Sequence, residues 1–231
     1  ATSNTNASGI ATVVFTTHTI AGTATTVTGT DGASRTGTSA TITTAVGAAT
    51  KYLVTSSNNT PTAGATANIT AQLADANNNP VSTAGLTVTW SKSNANGSFA
   101  TATSQTNASG IATVVFTTHT VAGTATTVTG TDGGSLTGTS ATITTAVGAA
   151  NKYLVTSSNN SPAAGSNVTI TAQLADANNN PVNTAGQVVT WSKSNANGSF
   201  ATATSNTDGS GIATVVYTTH TVAGTATTIT G

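Results

Sequence analysis

The stretch that decides the fold is Asn107-Ala108-Ser109-Gly110-Ile111-Ala112-Thr113-Val114-Val115-Phe116-Thr117. Its first four residues are small or turn-forming, and the glycine tolerates a positive φ. From Ala112 onward, apolar side chains occupy every second position and threonine most of the others. A period of two places one face of a β-strand in a core and the other in solvent. The stretch therefore predicts a tight turn followed by a half-buried strand.

The same alternation recurs on both sides of this stretch. Apolar residues occupy every second position from Ile69 to Ala74 and from Leu86 to Ser91, and threonines flank Ile143. Valine and threonine, which are β-branched and favour strands, dominate these segments. Turn sequences rich in Asn, Asp and Gly separate them at the spacing of an all-β sandwich. No window favours a helix, so the predicted fold class is all-β.

The chain also repeats itself. Residues 1–101 and 102–202 align without gaps at 87 identical positions, and residues 203–231 begin a third copy. This period is too long for a solenoid coil or propeller blade and matches one small domain. The predicted domains are residues 1–47 (the C-terminal half of a repeat), 48–148 (a complete repeat) and 149–231 (a repeat lacking its last strand).

Both ends of the sequence cut through predicted domains. One explanation is that these residues are a window onto a longer array. The other is that neighbouring chains complete each other's ends by strand addition. Because joints such as Val46-Gly47-Ala48 are short, consecutive domains are expected to stack end to end as a stiff rod.

Composition excludes several classes of function. Five basic residues balance five acidic ones, and charged residues make up 4% of the chain. Nucleic-acid binders need a cationic face and electrostatic membrane binders need a polybasic stretch, so neither partner is expected. No apolar run is long enough to cross a bilayer, so no membrane insertion is expected in this segment. Cysteine and methionine are absent, which excludes disulfides and thiolate chemistry.

Several motifs occur in the order found in one known family. These are Asp75 to Val81, Val88 to Ser91, Gly97 to Phe99, Asn107 to Val114 and Ala122 to Thr124. With them, the chain resembles the bacterial Ig-like domain group 1 (Big-1), the repeats of invasin and intimin-type surface adhesins. The resemblance implies tandem immunoglobulin-like β-sandwiches, arranged end to end as a rod, that act mostly as rigid spacers. The chain departs from the family in its low charge and in Asn78 or Asn79, where the family usually has Gly.

The pattern Asn-X-Ser/Thr, which accepts N-linked glycans, is the sharpest local signal. It occurs at Asn6, Asn58, Asn68, Asn96, Asn107, Asn159, Asn167 and Asn197. The counterpart of Asn68 one repeat later is Thr169, but Asn167 restores an acceptor two residues earlier. A step of two residues keeps the same face of a strand, which favours real sugar attachment. The alternative is chance in a chain rich in Asn, Ser and Thr.

One further pattern resembles a metal site but favours a structural role. Asp75-X-Asn77-X-Asn79 resembles the start of a calcium loop and recurs at Asp176. A calcium loop also needs Gly at its sixth position and Glu at its twelfth, whereas Pro80 stands sixth and the chain has no Glu. An Asx turn is therefore favoured, and no metal or cofactor is expected.

The histidines favour no catalytic or metal site. One histidine occurs per repeat, at His18, His119 and His220, in a connection between strands. No second ligand or base-orienting acid lies near it in sequence, so a loop histidine is favoured over a metal ligand or a catalytic triad. No enzyme activity is expected.

The large aromatic residues are interpreted as core. Trp90 and Trp191 continue the apolar phase of their strands, as core tryptophans of immunoglobulin-like sandwiches do. A carbohydrate-binding platform is the alternative. Phe116 and Tyr217, which occupy the same position in consecutive repeats, are assigned to the core with them.

These observations lead to two hypotheses of function. The first is a structural repeat region of an extracellular stalk or filament, located at the cell surface or in a secreted filament. Its partners are neighbouring copies, end to end or side by side, and covalent glycans. The alternative is an adhesin module whose repeats bind a receptor, a glycan or ice directly.

Overall fold

The computed structural model describes residues 1–231, and it consists of β-strands, turns and loops without a helix. The predicted all-β fold class is therefore confirmed. Strands fall into three runs that follow the sequence repeat. The first run contains β1 (Ala24–Thr25), β2 (Thr28–Thr30), β3 (Thr36–Thr38) and β4 (Ile42–Thr43).

The central run forms a two-layer sandwich. Its strands are β5 (Ala49–Ser56), β6 (Thr66–Asp75), β7 (Thr87–Lys92), β8 (Ser98–Phe99), β9 (Thr103–Gln105), β10 (Ile111–Thr117), β11 (Ala125–Thr126), β12 (Val128–Asp132), β13 (Thr137–Thr139) and β14 (Ile143–Thr144). One antiparallel sheet has the order β5-β6-β10-β8 and the other has β13-β12-β7-β9, while β11 pairs with β14. Two antiparallel sheets packed face to face are the architecture of an immunoglobulin-like sandwich.

The register of the first sheet explains its buried face. Val114 of β10 lies opposite Ile69 of β6, and Ala112 lies opposite Ala71. These four side chains point to one side and are buried, whereas the intervening Thr113 faces solvent. The alternation of apolar residues and threonine in the sequence thus corresponds to one buried and one solvent-exposed face of the sheet.

The core of the central unit lies between the two sheets. Its twelve buried residues are Tyr52, Val54, Ile69, Ala71, Leu73, Val88, Trp90, Ala112, Val114, Phe116, Val128 and Ile143. Trp90 is 5% exposed and Phe116 is 1% exposed. Phe116 packs against Phe99 with ring centroids 5.5 Å apart. The indole N–H of Trp90 donates a 2.9 Å hydrogen bond to the Ser104 hydroxyl, which satisfies the only polar atom of a buried side chain.

The third run repeats most of this sandwich. It contains β15 (Lys152–Ser157), β16 (Asn167–Ala175), β17 (Val188–Thr190), β18 (Ser192–Lys193), β19 (Ser199–Phe200), β20 (Thr204–Asn206), β21 (Ile212–Thr218) and β22 (Ile229–Thr230). The sheets are β15-β16-β21-β19, β17-β20 and β18-β22. A second core cluster of eight buried residues includes Trp191 and Tyr217.

The three runs differ in how well they bury their apolar residues. Tyr153 and Val155 are half-buried, although their counterparts Tyr52 and Val54 are buried. The third run has no strand that corresponds to β13 or β14, which cover this region in the central unit. In the first run Val14 is 94% exposed and no core cluster forms. The central unit is thus the one whose core is covered on all sides.

Candidate functional site: the joint between repeats

The Asp75-to-Pro80 loop after β6 forms a turn closed by its own aspartate. One carboxylate oxygen of Asp75, Oδ1, accepts hydrogen bonds from the backbone N–H groups of Asn77 and Asn79, both at 2.9 Å. Asn78 adopts a φ of 68°, a left-handed conformation that Asn tolerates better than most residues. The arrangement is the Asx turn that the sequence favoured.

The second oxygen of Asp75 connects the turn to the linker that precedes its unit. Oδ2 accepts hydrogen bonds from the backbone N–H of Gly47 and from the side-chain amide of Asn79, both at 2.9 Å. Asp75 is 3% exposed, so four hydrogen bonds replace most of the water around its charge. A hydrogen bond to an ionised carboxylate is stronger than a neutral one. The carboxylate therefore fixes the linker residue Gly47, the turn and the Asn79 side chain together.

Asn79 carries the contact to the preceding repeat. Its Oδ1 accepts a 2.9 Å hydrogen bond from the backbone N–H of Ala21, and its Nδ2 donates a 2.9 Å hydrogen bond to the backbone carbonyl of Thr19. These partners lie 58 and 60 residues earlier in the chain. Both ends of one buried amide thus bind the backbone of the loop that contains His18.

The second joint repeats the first. Asn180 accepts from the N–H of Ala122 and donates to the carbonyl of Thr120, both at 2.8 Å. Asp176 accepts from Gly148 N–H and from the Asn180 amide, both at 2.9 Å. We call the residues that bridge the two units here, Asp176 and Asn180 with Thr120, Ala122 and Gly148, the second joint. The corresponding set around Asp75 and Asn79 is the first joint.

The second joint has one hydrogen bond more than the first. The side-chain amide of Asn178 donates a 3.0 Å hydrogen bond to the carbonyl of Ala63, which lies 115 residues earlier. Gly64, beside Ala63, lies close enough that a Cβ there would be 3.7 Å from the Asn178 Nδ2. Residues 1–47 contain no counterpart of Ala63, so Asn77 makes no such bond. The second joint therefore uses two asparagines and one aspartate of the same turn.

Hydrogen bonding sets the ionisation of both joint aspartates. Hydrogen bonds from the Asn79 side chain and from Gly47 outweigh desolvation and lower the pKa of Asp75 to about 2. At Asp176 desolvation raises the pKa, but hydrogen bonds from Asn180, Gly148 and Asn178 outweigh it and lower the pKa to about 2. N–H donors favour the charged form because they interact more strongly with a carboxylate than with a neutral acid. Both joints are therefore anionic throughout the physiological range.

The histidines lie at the same place in each repeat. The loops that contain His18 and His119 bind the side chains of Asn79 and Asn180 through their backbone. The Nδ1 atoms of His18, His119 and His220 each accept a 3.0 Å hydrogen bond from the backbone N–H two residues later. Each ring thus closes a local turn. No group of three or more His, Cys, Asp or Glu residues is placed to hold a metal ion together.

The structure also places the eight predicted glycan acceptors. Asn6, Asn58, Asn68, Asn107, Asn159 and Asn167 are exposed, whereas Asn96 and Asn197 are half-buried. Asn107 Oδ1 accepts from the N–H groups of Ser109 and Ile111, at 2.9 and 3.1 Å. Its Nδ2, the atom that would carry a sugar, makes no hydrogen bond within the protein. The Nδ2 atoms of the other seven likewise make none.

The assigned core residues differ in their polar contacts. Trp191 is 5% exposed and donates from its indole N–H to Ser205 Oγ at 2.9 Å. Tyr217 is 4% exposed, and its hydroxyl donates to the carbonyl of Asn197 at 2.9 Å. Phe116, its counterpart, has no hydroxyl and needs no such partner. All four aromatic residues thus lie inside the sandwiches.

Sequence reasoning missed the role of Asn79 and Asn180. It treated the asparagines of this turn as local turn formers or metal ligands, because nothing in one sequence shows which amide reaches another unit. The only available signal was the lack of glycine at the left-handed position. A turn built from several asparagines has more amide side chains than the turn itself needs, so some of them can bind another unit.

Comparisons with known proteins give neighbours at the level of structure only. No protein-family model matches the chain, and no curated protein matches it. A solved structure of the D0-D1 domain of intimin is 19% identical, covers 77% of this chain and 88% of its own, and superposes with a TM-score of 0.37. The Escherichia coli adhesin FdeC is 19% identical, covers 80% of this chain and 60% of its own, and has a TM-score of 0.43.

One further neighbour belongs to another class of protein. A glycosyl hydrolase family 2 member from Bacteroides cellulosilyticus is 16% identical, covers 47% of this chain and 17% of its own, and has a TM-score of 0.38. The chain thus aligns with solved adhesin structures over most of its length, and with a small part of one enzyme. Similarity this distant does not assign a function. No helix in the structure is long and apolar enough to span a membrane.

Proposed function

We propose that this chain is a structural repeat region of an extracellular stalk or filament, in which each joint holds consecutive sandwiches in a fixed orientation. The observation that carries the proposal is the pair of hydrogen bonds that one buried amide makes to the preceding unit. The two joints reproduce this geometry within 0.1 Å. A spacer needs a joint of this kind, because two rigid domains on a flexible linker do not keep a constant end-to-end length.

The composition of the chain and its acceptor asparagines support the proposed location at the cell surface. Threonine accounts for 58 of 231 residues and provides hydroxyls on the outer sheet faces in place of charge. Cysteine and methionine, which are sensitive to oxidation, are absent. The outward acceptor asparagines suit a compartment in which glycans are added. Direct binding of a receptor, glycan or ice by the repeats remains the alternative, and saturable binding of the purified chain to cells or ice would favour it.

Replacement of Asn180 tests the joint. We expect Asn180→Ala to remove both inter-repeat hydrogen bonds of that side chain, each worth about 0.5–1.5 kcal/mol, and to let the third unit move relative to the central one. Small-angle X-ray scattering should show a broader distribution of shapes than for the unchanged chain. Adding Asn178→Ala, which removes the bond to Ala63, should increase the effect.

Asn183→Ser is the matched control, because Asn183 is exposed and the counterpart in the previous repeat is Ser82. We expect this variant to scatter like the unchanged chain. If Asn180→Ala and the double variant also scatter like the unchanged chain, the hydrogen bonds do not fix the joint and the spacer proposal loses its support.

Glycan attachment is a second testable part of the proposal. We expect protein isolated from its native cells to carry sugar first at the six exposed acceptors, because a transferase must reach the Asn Nδ2. Intact mass before and after enzymatic removal of N-linked glycans measures occupancy. Asn96 and Asn197 are half-buried and should stay bare. A native mass equal to that of the polypeptide would contradict glycosylation at every position.

A further inference from the structure

Two loops of the chain contain an asparagine that is followed by glycine. Asn96-Gly97 lies between β7 and β8, and Asn197-Gly198 lies between β18 and β19. No other asparagine in the chain precedes a glycine. Such a pair is open to attack by the glycine nitrogen on the asparagine Cγ, because glycine has no Cβ to hinder the approach. Residues 88–104 and 189–205 are identical, so both pairs have the same neighbours in sequence.

The groups that would react are free in the structure. The backbone N–H groups of Gly97 and Gly198 make no hydrogen bond within the protein, and neither do the side-chain amides of Asn96 and Asn197. No buried side-chain N or O atom lacks a partner, so these half-buried amides contact water. The joint asparagine Asn79 differs in both respects. Its amide is bound at both ends, and the proline that follows it has no N–H.

We propose that Asn96 and Asn197 convert spontaneously to aspartate or isoaspartate. The Gly97 nitrogen attacks Cγ of Asn96, so that a C–N bond forms and the bond from Cγ to Nδ2 breaks. Nδ2 leaves as ammonia and takes the proton of the Gly97 N–H. Water then adds to one of the two carbonyl carbons of the resulting five-membered imide and opens the ring. Asn197 and Gly198 react in the same way, and each event replaces a neutral amide by a carboxylate.

The carbonyl of Asn197 is held in place by two side chains. Its carbon becomes part of the imide ring, so the group must rotate out of its position in the loop before the ring can close. The carbonyl oxygen accepts a 2.9 Å hydrogen bond from the Tyr217 hydroxyl and a 3.0 Å hydrogen bond from the Lys193 ammonium. Both bonds oppose the rotation. Tyr217 is therefore a positioning residue that slows the reaction at Asn197.

The carbonyl of Asn96 has no such restraint. Phe116, the counterpart of Tyr217, has no hydroxyl, and Lys92 donates to the carbonyl of Asn94 instead, at 3.3 Å. No group donates a hydrogen bond to the Asn96 carbonyl. We therefore expect Asn96 to react faster than its counterpart one repeat later. One hydrogen bond of ordinary strength corresponds to a factor of about 2 to 10 in rate.

The two aromatic positions allow a matched exchange of the hydroxyl. The rings of Phe116 and Tyr217 lie alike, with centroids 5.5 and 5.3 Å from the phenylalanine of β8 or β19 and tilts of 50° and 52°. Phe116→Tyr should therefore place a hydroxyl at the Asn96 carbonyl and slow that site about 2- to 10-fold. Tyr217→Phe should accelerate Asn197 by a similar factor. Each variant should leave the rate at the other site unchanged.

The rates can be measured on the 231-residue chain during incubation at mildly alkaline pH, which helps to remove the proton of the glycine N–H. Trypsin cleaves after Lys92 and Lys193 and separates the sites into peptides 93–152 and 194–231. Fragment masses then locate the change, and labelling by an isoaspartyl methyltransferase detects isoaspartate. Isoelectric focusing is an independent readout, because each event adds a negative charge to a chain of net charge zero.

Replacement by glutamine supplies the controls. Asn96→Gln and Asn197→Gln keep an amide but would have to close a larger ring, so each should remove the acidic species that comes from its site. Asn151→Gln should change neither rate, because Asn151 is exposed and precedes lysine. In denaturant the two sites should react equally fast, since their flanking sequences are identical.

The outcomes separate the two parts of the proposal. No conversion at either site, or conversion as fast at Asn151 as at Asn96, would overturn it. Equal rates at Asn96 and Asn197 in the folded chain, or an exchange of the hydroxyl without effect, would overturn the role of Tyr217. The two loops lie outside both joints, so the proposal does not rest on the spacer function and its result leaves that function untouched.

Discussion

Replacement of Trp90 by alanine should destabilise the central unit by about 3–5 kcal/mol, as large aromatic truncations in cores do. The side chain is 5% exposed, and it packs in the core cluster with residues from both sheets. The truncation removes that packing and also leaves the Ser104 hydroxyl without its indole partner. Chemical denaturation of the 231-residue chain, followed by tyrosine fluorescence and circular dichroism, would report the loss as an earlier transition of one unit.

Two controls sharpen this prediction. Thr89→Ala changes the neighbouring residue of β7, whose side chain points to solvent, and should shift the transition little. Trp90→Phe keeps most of the apolar volume and loses the indole hydrogen bond, so it should cost less than Trp90→Ala. A neutral Trp90→Ala would indicate an exposed binding residue, as on a carbohydrate-binding platform, and would contradict the placement of this ring.

The strand pattern was predictable because it is local. The alternation from Ala112 to Phe116 fixes which side chains face inward, whichever strand lies beside them, and β10 covers Ile111–Thr117. The turn at Asp75 was predictable for the same reason, since an aspartate oxygen reaches the N–H groups two and four residues later. Both features depend on distances within a few residues of the chain.

The joint was not predictable, because its hydrogen bonds depend on how whole units stack. Asn79 and Thr19 are 60 residues apart, and no periodicity relates them. Repetition did not help, since nearly every residue of one copy recurs in the next and the joint asparagines stand out no more than the others. The loop that contains His18 contributes only backbone atoms of Thr19 and Ala21. The contact therefore does not require particular side chains there, and the sequence of the loop does not reveal it.

Acid should loosen both joints within a defined range of pH. In the folded chain the pKa of Asp75 and of Asp176 is lowered to about 2, whereas an aspartate in an unfolded chain has a pKa of about 3.9. The unfolded state therefore binds protons first as the pH falls. The stabilisation from these carboxylates is fully present above about pH 4 and is lost as the pH falls to about 2.

Thermal unfolding measured from pH 6 to pH 2 tests this prediction. We expect a constant midpoint down to about pH 4 and a steep decrease below it. Scattering at low pH should broaden in the way that we expect for Asn180→Ala at neutral pH. A midpoint that does not change over this range of pH would contradict the prediction.

A matched pair of variants then isolates the joint carboxylate. Asp176→Asn keeps the shape of the side chain but replaces one acceptor oxygen by an N–H₂ group that faces the N–H of Gly148 or Asn178. We expect it to lower the midpoint at neutral pH and to flatten the acid dependence, since the charged acceptor is gone. Asp208→Asn should do neither, because Asn107 at the same position of the central unit accepts the same two backbone hydrogen bonds. Equal behaviour of the two variants would mean that the hydrogen bonds of Asp176 to Gly148 and Asn180 do not stabilise the joint.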